Sequence, residues 1–258
     1  MTIVKIGDAT VEVEQTGGGP DLVLLHSLLT DSGAFGRVVP ELAKHYRLTL
    51  VNLPGFGAST AAGATIEDYG DRIAAIFPAL KLAPDATLFG NGFGGFVALA
   101  AAIRHGDRFG RLVIADSLVT FPAPAREPFR IMAAKVRESG MQAILDTAIR
   151  RMFPEPFIAA QPDIVAERKR ALGKADPSCF AQACLALAQL DFGQQLKSIR
   201  NRTLVMTGEL DQTTPAPLVR ELAAAIPGAQ FCEIAGSGHC PQIEKPAEFV
   251  AALRGFLD

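Results

Sequence analysis

Short, mostly apolar runs recur along this chain, separated by stretches with helical spacing. The runs lie at Asp21–His26 (LVLL within it), Arg47–Leu53, Ala86–Phe89, Arg111–Asp116 and Arg202–Gly208. A strand that alternates apolar and polar residues buries one face, whereas a strand apolar throughout is covered on both. Helical spacing is predicted over Phe35–Lys44, Ile66–Leu80, Phe93–Arg104, Pro215–Ile226 and Ala247–Leu257, with further strands at Val11–Gln15 and Gln230–Ile234. Such alternation calls for an α/β fold, a parallel sheet with helices on both faces.

Between Leu118 and Gln195 the rhythm stops. No strand is predicted there; helices are expected at Ala125–Glu138, Met141–Phe153, Asp163–Leu172 and Ser178–Leu190, punctuated by seven prolines between Pro122 and Pro177. The expected organisation is a sheet-forming core at 1–119 and 196–258, with a helical cap at 120–195. Ligands of open α/β sheets bind beyond the carboxyl ends of the strands, so an insertion at that edge acts as a lid.

Composition narrows the classes. With 258 residues, 49% of them hydrophobic, the chain can bury a core unaided. A net charge of −2 without a basic block gives no reason to expect nucleic-acid binding. The longest apolar run, Phe93–Ile103, is 11 residues, short of the roughly 20 that cross a bilayer. The N-terminus lacks the apolar core of a signal peptide. Cys179, Cys184, Cys232 and Cys240 form no CxxC pair and read as free thiols of a cytoplasmic protein. The expected partner is a small-molecule substrate, with neither membrane nor nucleic acid; self-association stays open.

Chemistry concentrates first at Gly90-Asn91-Gly92-Phe93-Gly94-Gly95, between a strand and a helix. Gly90, Gly92 and Gly95 satisfy the G-x-G-x-x-G dinucleotide fingerprint, and Asp116 ends the next strand where a ribose-binding acid would sit. That fingerprint normally opens the first βα unit, yet here it lies mid-chain. Alternatively, Gly90, Phe93 and Gly94 fit the G-x-S-x-G nucleophile elbow, with Gly92 in place of serine. A glycine-rich packing turn is the third reading. The C-terminal part favours the elbow. Gly208-Glu209-Leu210-Asp211 and Gly236-Ser237-Gly238-His239 each follow a strand, giving the order nucleophile position, acid, histidine. Singly, Asp211 reads as a helix cap and His239 as a core histidine; together, in this order, they read as a catalytic pair.

With His26-Ser27-Leu28, Leu53-Pro54-Gly55-Phe56-Gly57-Ala58-Ser59, the elbow, GELD at 208–211 and GHCPQIEKP at 238–246, the chain resembles the α/β-hydrolase superfamily over nearly its whole length. Among its members it is most similar to 3-oxoadipate enol-lactonases and small esterases with a helical cap. The resemblance implies a mostly parallel eight-stranded sheet, a cap inserted after the sixth strand, and no cofactor or metal. It also implies an oxyanion hole from the N–H groups of Leu28 and Phe93, catalysis by Asp211 and His239, and hydrolysis of a small ester or (enol-)lactone. His26 is expected to support its turn.

Two positions depart from the family pattern. Asn52 stands where aspartate is common, with little expected consequence. Gly92 has no hydroxyl, so no acyl-enzyme forms there; a replaced serine and a naturally absent one are both compatible with it. Water activated by His239, oriented by Asp211, is one remaining route. Proton abstraction from the substrate, as in an isomerase, lyase or cofactor-free oxygenase, is another, and a binding-only relative is a third. Ser27, Ser117, Ser237 and Cys240 are alternative nucleophiles, each read first as packing or turn chemistry. Asp116 is the reserve acid. Arg126, Arg130, Arg150, Arg151 and Arg170 read as a solvated helix face, or else as a carboxylate clamp.

Overall fold

A computed structural model describes residues 1–258. Eight strands form one sheet: β1 (Thr2–Ile6), β2 (Ala9–Gly17), β3 (Asp21–Leu25), β4 (Arg47–Val51), β5 (Thr87–Asn91), β6 (Arg111–Ala115), β7 (Arg202–Gly208) and β8 (Gln230–Ile234). Their order is β1-β2-β4-β3-β5-β6-β7-β8, parallel from β4 to β8, with β2 antiparallel to both of its neighbours. The apolar strands bury both faces, as their composition demands. On β3, Val23 and Leu25 face one apolar layer while Leu22 and Leu24 face the other; on β6, Leu112 and Ile114 oppose Val113 in the same way.

The core helices are α1 (Val39–Leu42), α2 (Ile66–Ala74), α3 (Ile76–Ala79) and α4 (Phe93–His105). Between β6 and β7 lie α5 (Ala123–Ser139), α6 (Leu145–Met152), α7 (Glu155–Ala160), α8 (Pro162–Leu172) and α9 (Pro177–Gln189). The chain then adds α10 (Ala216–Ala225), α11 (Pro241–Glu244) and α12 (Pro246–Leu257). An antiparallel bridge between Thr120 and Asp191 joins the two ends of the helical segment. No helix is long and apolar enough to cross a membrane.

Several elements differ from their sequence-based expectations, for local reasons. The helix expected over Ile66–Leu80 is two helices, because Pro78 lacks an N–H and its ring clashes with the carbonyl four residues back. Phe35–Lys44 is a 3₁₀ turn at Ser32–Phe35 and then the single turn α1, where Pro40 sits in the first turn that proline tolerates. The Met141–Phe153 helix starts as a 3₁₀ turn. The eighth strand that the resemblance implies is β1, which the local pattern of the sequence does not place; α7, whose Pro156 occupies a permitted early position, is likewise unmarked by it.

The sheet order positions the site. From β3 the chain moves outward to β4, then returns to place β5 on the other side of β3. The loops after β3 and β5 therefore diverge and leave a crevice at the strand carboxyl ends. His26–Leu28 follow β3 and Gly92–Phe93 follow β5.

Candidate active site

Gly92 stands between β5 and α4 with φ +54° and ψ −116°, a conformation that side chains rarely adopt. Its N–H donates to the Ala115 carbonyl at 2.8 Å, and its own carbonyl accepts from the N–H groups of Gly95 and Phe96, which fixes the turn. Gly94 lets the helix approach β3 closely: a Cβ there would lie 2.5 Å from the Leu25 carbonyl oxygen. Instead, the Gly94 N–H donates to the His26 carbonyl at 3.0 Å. The loop after β3 is thus tied to the start of α4.

Within that loop His26 is fully buried. Its Nδ1–H donates to the Ser27 carbonyl (2.8 Å), and its Nε2 accepts the Leu53 N–H (3.1 Å). Burial pushes its pKa down to about 4, so the ring is neutral and holds two loops together. Thr30 adds two more donors to the Ser27 carbonyl, from its N–H and its hydroxyl. Asn52 also ties loops, accepting the Ser32 N–H and donating to Glu12. The Leu28 N–H meets no protein acceptor. The Phe93 N–H begins α4, where no preceding helical carbonyl can receive it. Both residues border one buried cavity, together with Ser27, Gly92 and His239.

Asp211 and His239 come together from the loops after β7 and β8. His239 Nδ1 lies 2.7 Å from Asp211 Oδ2. Asp211 also accepts the N–H groups of Thr213 and Thr214 and the Thr214 hydroxyl. Burial alone would raise the Asp211 pKa, but His239 and these donors outweigh it, and the carboxyl stays below its usual range. Asp116 is in the opposite state: burial, and then the nearby Asp211 charge, push its pKa well upward. Asp116 has φ +53° and accepts from the Gly208 N–H and the Asn91 side chain, both at 2.9 Å. It is fully buried, its two oxygens accept from Gly208 and Asn91, and the hydrogen bond to His239 Nδ1 is made by Asp211 instead. Donor atoms of Asp116, Asp211 and His239 lie within 4.8 Å of one another, but their carboxylate oxygens already accept protein hydrogens, as in a hydrogen-bonded pair.

The other face of His239 points at the elbow. A Cβ built on Gly92 would stand 2.7 Å from His239 Nε2 and 2.4 Å from Ser27 Oγ. Ser27 Oγ is itself 3.4 Å from that Nε2. The remaining alternative nucleophiles face elsewhere. Ser117 donates to the carbonyls of Gly92 and Ala115, and Ser237 to that of Gly238. Cys240 is buried, and burial raises its pKa well above the usual thiol range.

The helical segment closes over the cavity. Phe129 and Met132 of α5 and Leu187 of α9 line it. The His239 N–H donates to the Met152 carbonyl at the end of α6 (3.0 Å), and Arg168 of α8 pairs with Asp31 (3.0 Å). Of Arg126, Arg130, Arg150, Arg151 and Arg170, only Arg151 reaches the cavity. Its guanidinium sits 5.4 Å from the Phe129 ring centroid with no carboxylate partner, and burial lowers its pKa. Arg126 bonds backbone and Thr120, Arg130 pairs with Glu127, and Arg150 and Arg170 are exposed. Nothing in the sequence separates Arg151 from its neighbours; only the face it takes on α6 does so. Glu244, also not anticipated, accepts the N–H groups of Gly238 and Cys240 on either side of His239.

Residues 22–252 match the alpha/beta hydrolase family. The chain is 30% identical over 261 residues to the pimeloyl-(acyl-carrier protein) methyl ester esterase of Aeromonas hydrophila, spanning 96% of this chain and 99% of that protein. It is 26% identical over 249 residues to 3-oxoadipate enol-lactonase 1 of Acinetobacter baylyi, spanning 96% and 92%. Among solved structures, the enol-lactonase of Burkholderia xenovorans LB400 superposes with a TM-score of 0.92 at 27% identity, covering 99% of both chains.

Proposed function

The chain belongs to the alpha/beta hydrolase family, and from that premise we propose that it hydrolyses a small ester or lactone bearing an anionic group, without a serine on its elbow. The observation carrying this reading is the direction of the Asp211–His239 pair. Its free nitrogen, Nε2, is aimed at the Gly92 position, beside the N–H groups of Leu28 and Phe93. A base and two adjacent donors are what acyl transfer needs: one takes the proton, the others hold charge as it develops on the carbonyl oxygen. One such donor is typically worth about 3–4 kcal/mol in the transition state. The esterase and enol-lactonase named among the relatives carry out reactions of this class.

In the proposed reaction the scissile carbonyl lies against Leu28 and Phe93. His239 Nε2 removes a proton from the attacking oxygen, which belongs to water or to another hydroxyl within reach. Asp211 holds the Nδ1–H and stabilises the imidazolium. The protonated ring then gives its proton to the leaving alkoxide. Loss of a triad member leaves roughly 10³–10⁴-fold catalysis over water, so turnover is expected to be measurable and modest. Arg151 supports the anionic substrate: an unpaired guanidinium in an apolar wall gains most from a planar carboxylate. The inner cavity is about 20 Å³, room for about one water. Ligand pockets are typically about 300–1,000 Å³, so the helices of 120–195 act as a cap whose side chains shift outward on binding.

The test is a substrate panel of p-nitrophenyl acetate, monomethyl and dimethyl succinate, and a carboxylated γ-lactone. The reading expects turnover, with the anionic members favoured in kcat/KM. Rates equal to buffer across the whole panel contradict it.

A further inference from the structure

One hydroxyl faces the base although the elbow has none. Ser27 Oγ is 3.4 Å from His239 Nε2 and is buried with it. It lies 2.4 Å from where the Cβ of a residue at position 92 would be, so it occupies the space an elbow side chain would fill. We propose that Ser27, carried on the loop after β3, supplies the nucleophile that the elbow lacks. The proposal rests on the hydrolase reading and assigns its attacking atom.

Three features make the exchange of positions workable. The first is the chain of contacts Ser27 Oγ, His239 Nε2, His239 Nδ1, Asp211 Oδ2, at 3.4 and 2.7 Å. A nucleophile within reach of a base that a third group orients is the general pattern, and the first contact is commonly loose before substrate binds. The second is the oxyanion hole. At an elbow, one donor is the N–H of the residue after the nucleophile. Leu28 follows Ser27 as Phe93 follows Gly92, and both border the cavity. Moving the hydroxyl from one side of the crevice to the other therefore leaves the same two donors in use, with their roles interchanged. The third is rigidity: the Ser27 carbonyl accepts from His26 Nδ1, the Thr30 N–H and the Thr30 hydroxyl, so the backbone is fixed and χ1 is the remaining freedom.

The steps balance with water as the only co-reactant. Ser27 Oγ forms a bond to the acyl carbon while its proton passes to His239 Nε2. The carbon–oxygen bond to the leaving group breaks, and that alkoxide takes the proton from His239. This gives an acyl-Ser27 ester and a free alcohol, or, for a lactone, an acyl chain that retains its own hydroxyl. Water then attacks the acyl carbon and gives a proton to His239; the carboxylic acid leaves, and the proton returns to Ser27 Oγ.

Acid-quenched reaction with p-nitrophenyl acetate, followed by tandem mass spectrometry of the peptide spanning residues 6–37, tests the assignment. The expected result is one acetyl group on Ser27, with a burst of about one nitrophenolate per chain. Ser27→Ala should lose both the label and at least 100-fold in turnover while remaining folded by circular dichroism. Ser27→Cys should be acetylated as a thioester cleaved by hydroxylamine. Turnover retained in folded Ser27→Ala, or wild-type turnover with the label absent or elsewhere, overturns the proposal and leaves direct attack by water. Should the wild type turn over no ester, a fluorophosphonate probe decides separately. Phosphonylation of Ser27 that is lost in His239→Ala supports the nucleophile even though the hydrolase reading has failed; no phosphonylation of Ser27 overturns it.

Discussion

Placing a serine on the elbow, Gly92→Ser, puts the crowding between positions 92 and 27 under direct measurement. The backbone there has φ +54° and ψ −116°, so any side chain carries a strain of about 1–3 kcal/mol. The new Cβ also meets Ser27 Oγ at 2.4 Å, His239 Nε2 at 2.7 Å and Ser27 Cβ at 3.1 Å. Forcing atoms into a packed interior costs about a further 1–3 kcal/mol. The sum, roughly 2–6 kcal/mol, is a large share of the roughly 5–15 kcal/mol that holds a domain together. Two of the three contacts belong to Ser27. Ser27→Gly removes both of its offending atoms, and the remaining contact, 2.7 Å to His239 Nε2, is relieved by a shift of the imidazole. Urea unfolding of the wild type, the two single variants and Gly92→Ser/Ser27→Gly should therefore show favourable coupling of about 0.5–3 kcal/mol. The double variant should also be acetylated at position 92 by p-nitrophenyl acetate, since Phe93, Leu28 and the Asp211–His239 pair are already in place. Stabilities that add within about 0.5 kcal/mol would mean that positions 27 and 92 do not compete for one space.

Other perturbations separate the parts of the site. Arg151→Gln should weaken binding of carboxylated esters by about 10–100-fold, seen in KM, and leave neutral esters nearly unchanged, because a hydrogen bond to a charged group is worth about 1.5–3 kcal/mol. Asp211→Asn should remove a large part of kcat, about 10–100-fold, with the fold intact, since the imidazole loses the partner that sets its tautomer while the oxyanion-hole donors remain. Glu244, raised to about 7 chiefly by burial, is protonated in the folded chain at mildly acid pH. Its folded pKa exceeds the unfolded one, so its contribution is full below about pH 4.5 and is lost as pH rises through about 7. Unfolding free energies from urea titrations at pH 5 to 8 should fall more steeply for the wild type than for Glu244→Gln, by about 1–3 kcal/mol over the window. Equal slopes would remove Glu244 from the account.

Much of this architecture was written locally. The apolar strands β3, β4, β5, β6 and β7 announced a sheet covered on both faces, and β7 and β8 lie at their expected residues. The order of Asp211 and His239 behind Gly92 pointed to one site, and the structure brings those residues within contact distance. What escaped was set by tertiary packing. β1 is an edge strand, partly exposed and carrying Lys5, so it lacks the continuous apolar signal of its neighbours. Arg151 differs from Arg150 by one step around α6, and only the docking of that helix turns one into the cavity and the other to solvent. The approach of Ser27 to His239 spans 212 residues of sequence and depends on the crevice between β3 and β5, which no local pattern encodes.

In the proposed reaction His239, held by Asp211, is the base at a site whose elbow bears no hydroxyl. The most direct measurement is kcat/KM for p-nitrophenyl acetate in the wild type and in His239→Gln, with folding checked by circular dichroism. Turnover above the buffer rate is expected in the wild type, and its near-complete loss in the variant. A folded His239→Gln protein that hydrolyses the ester at the wild-type rate would contradict that role of His239.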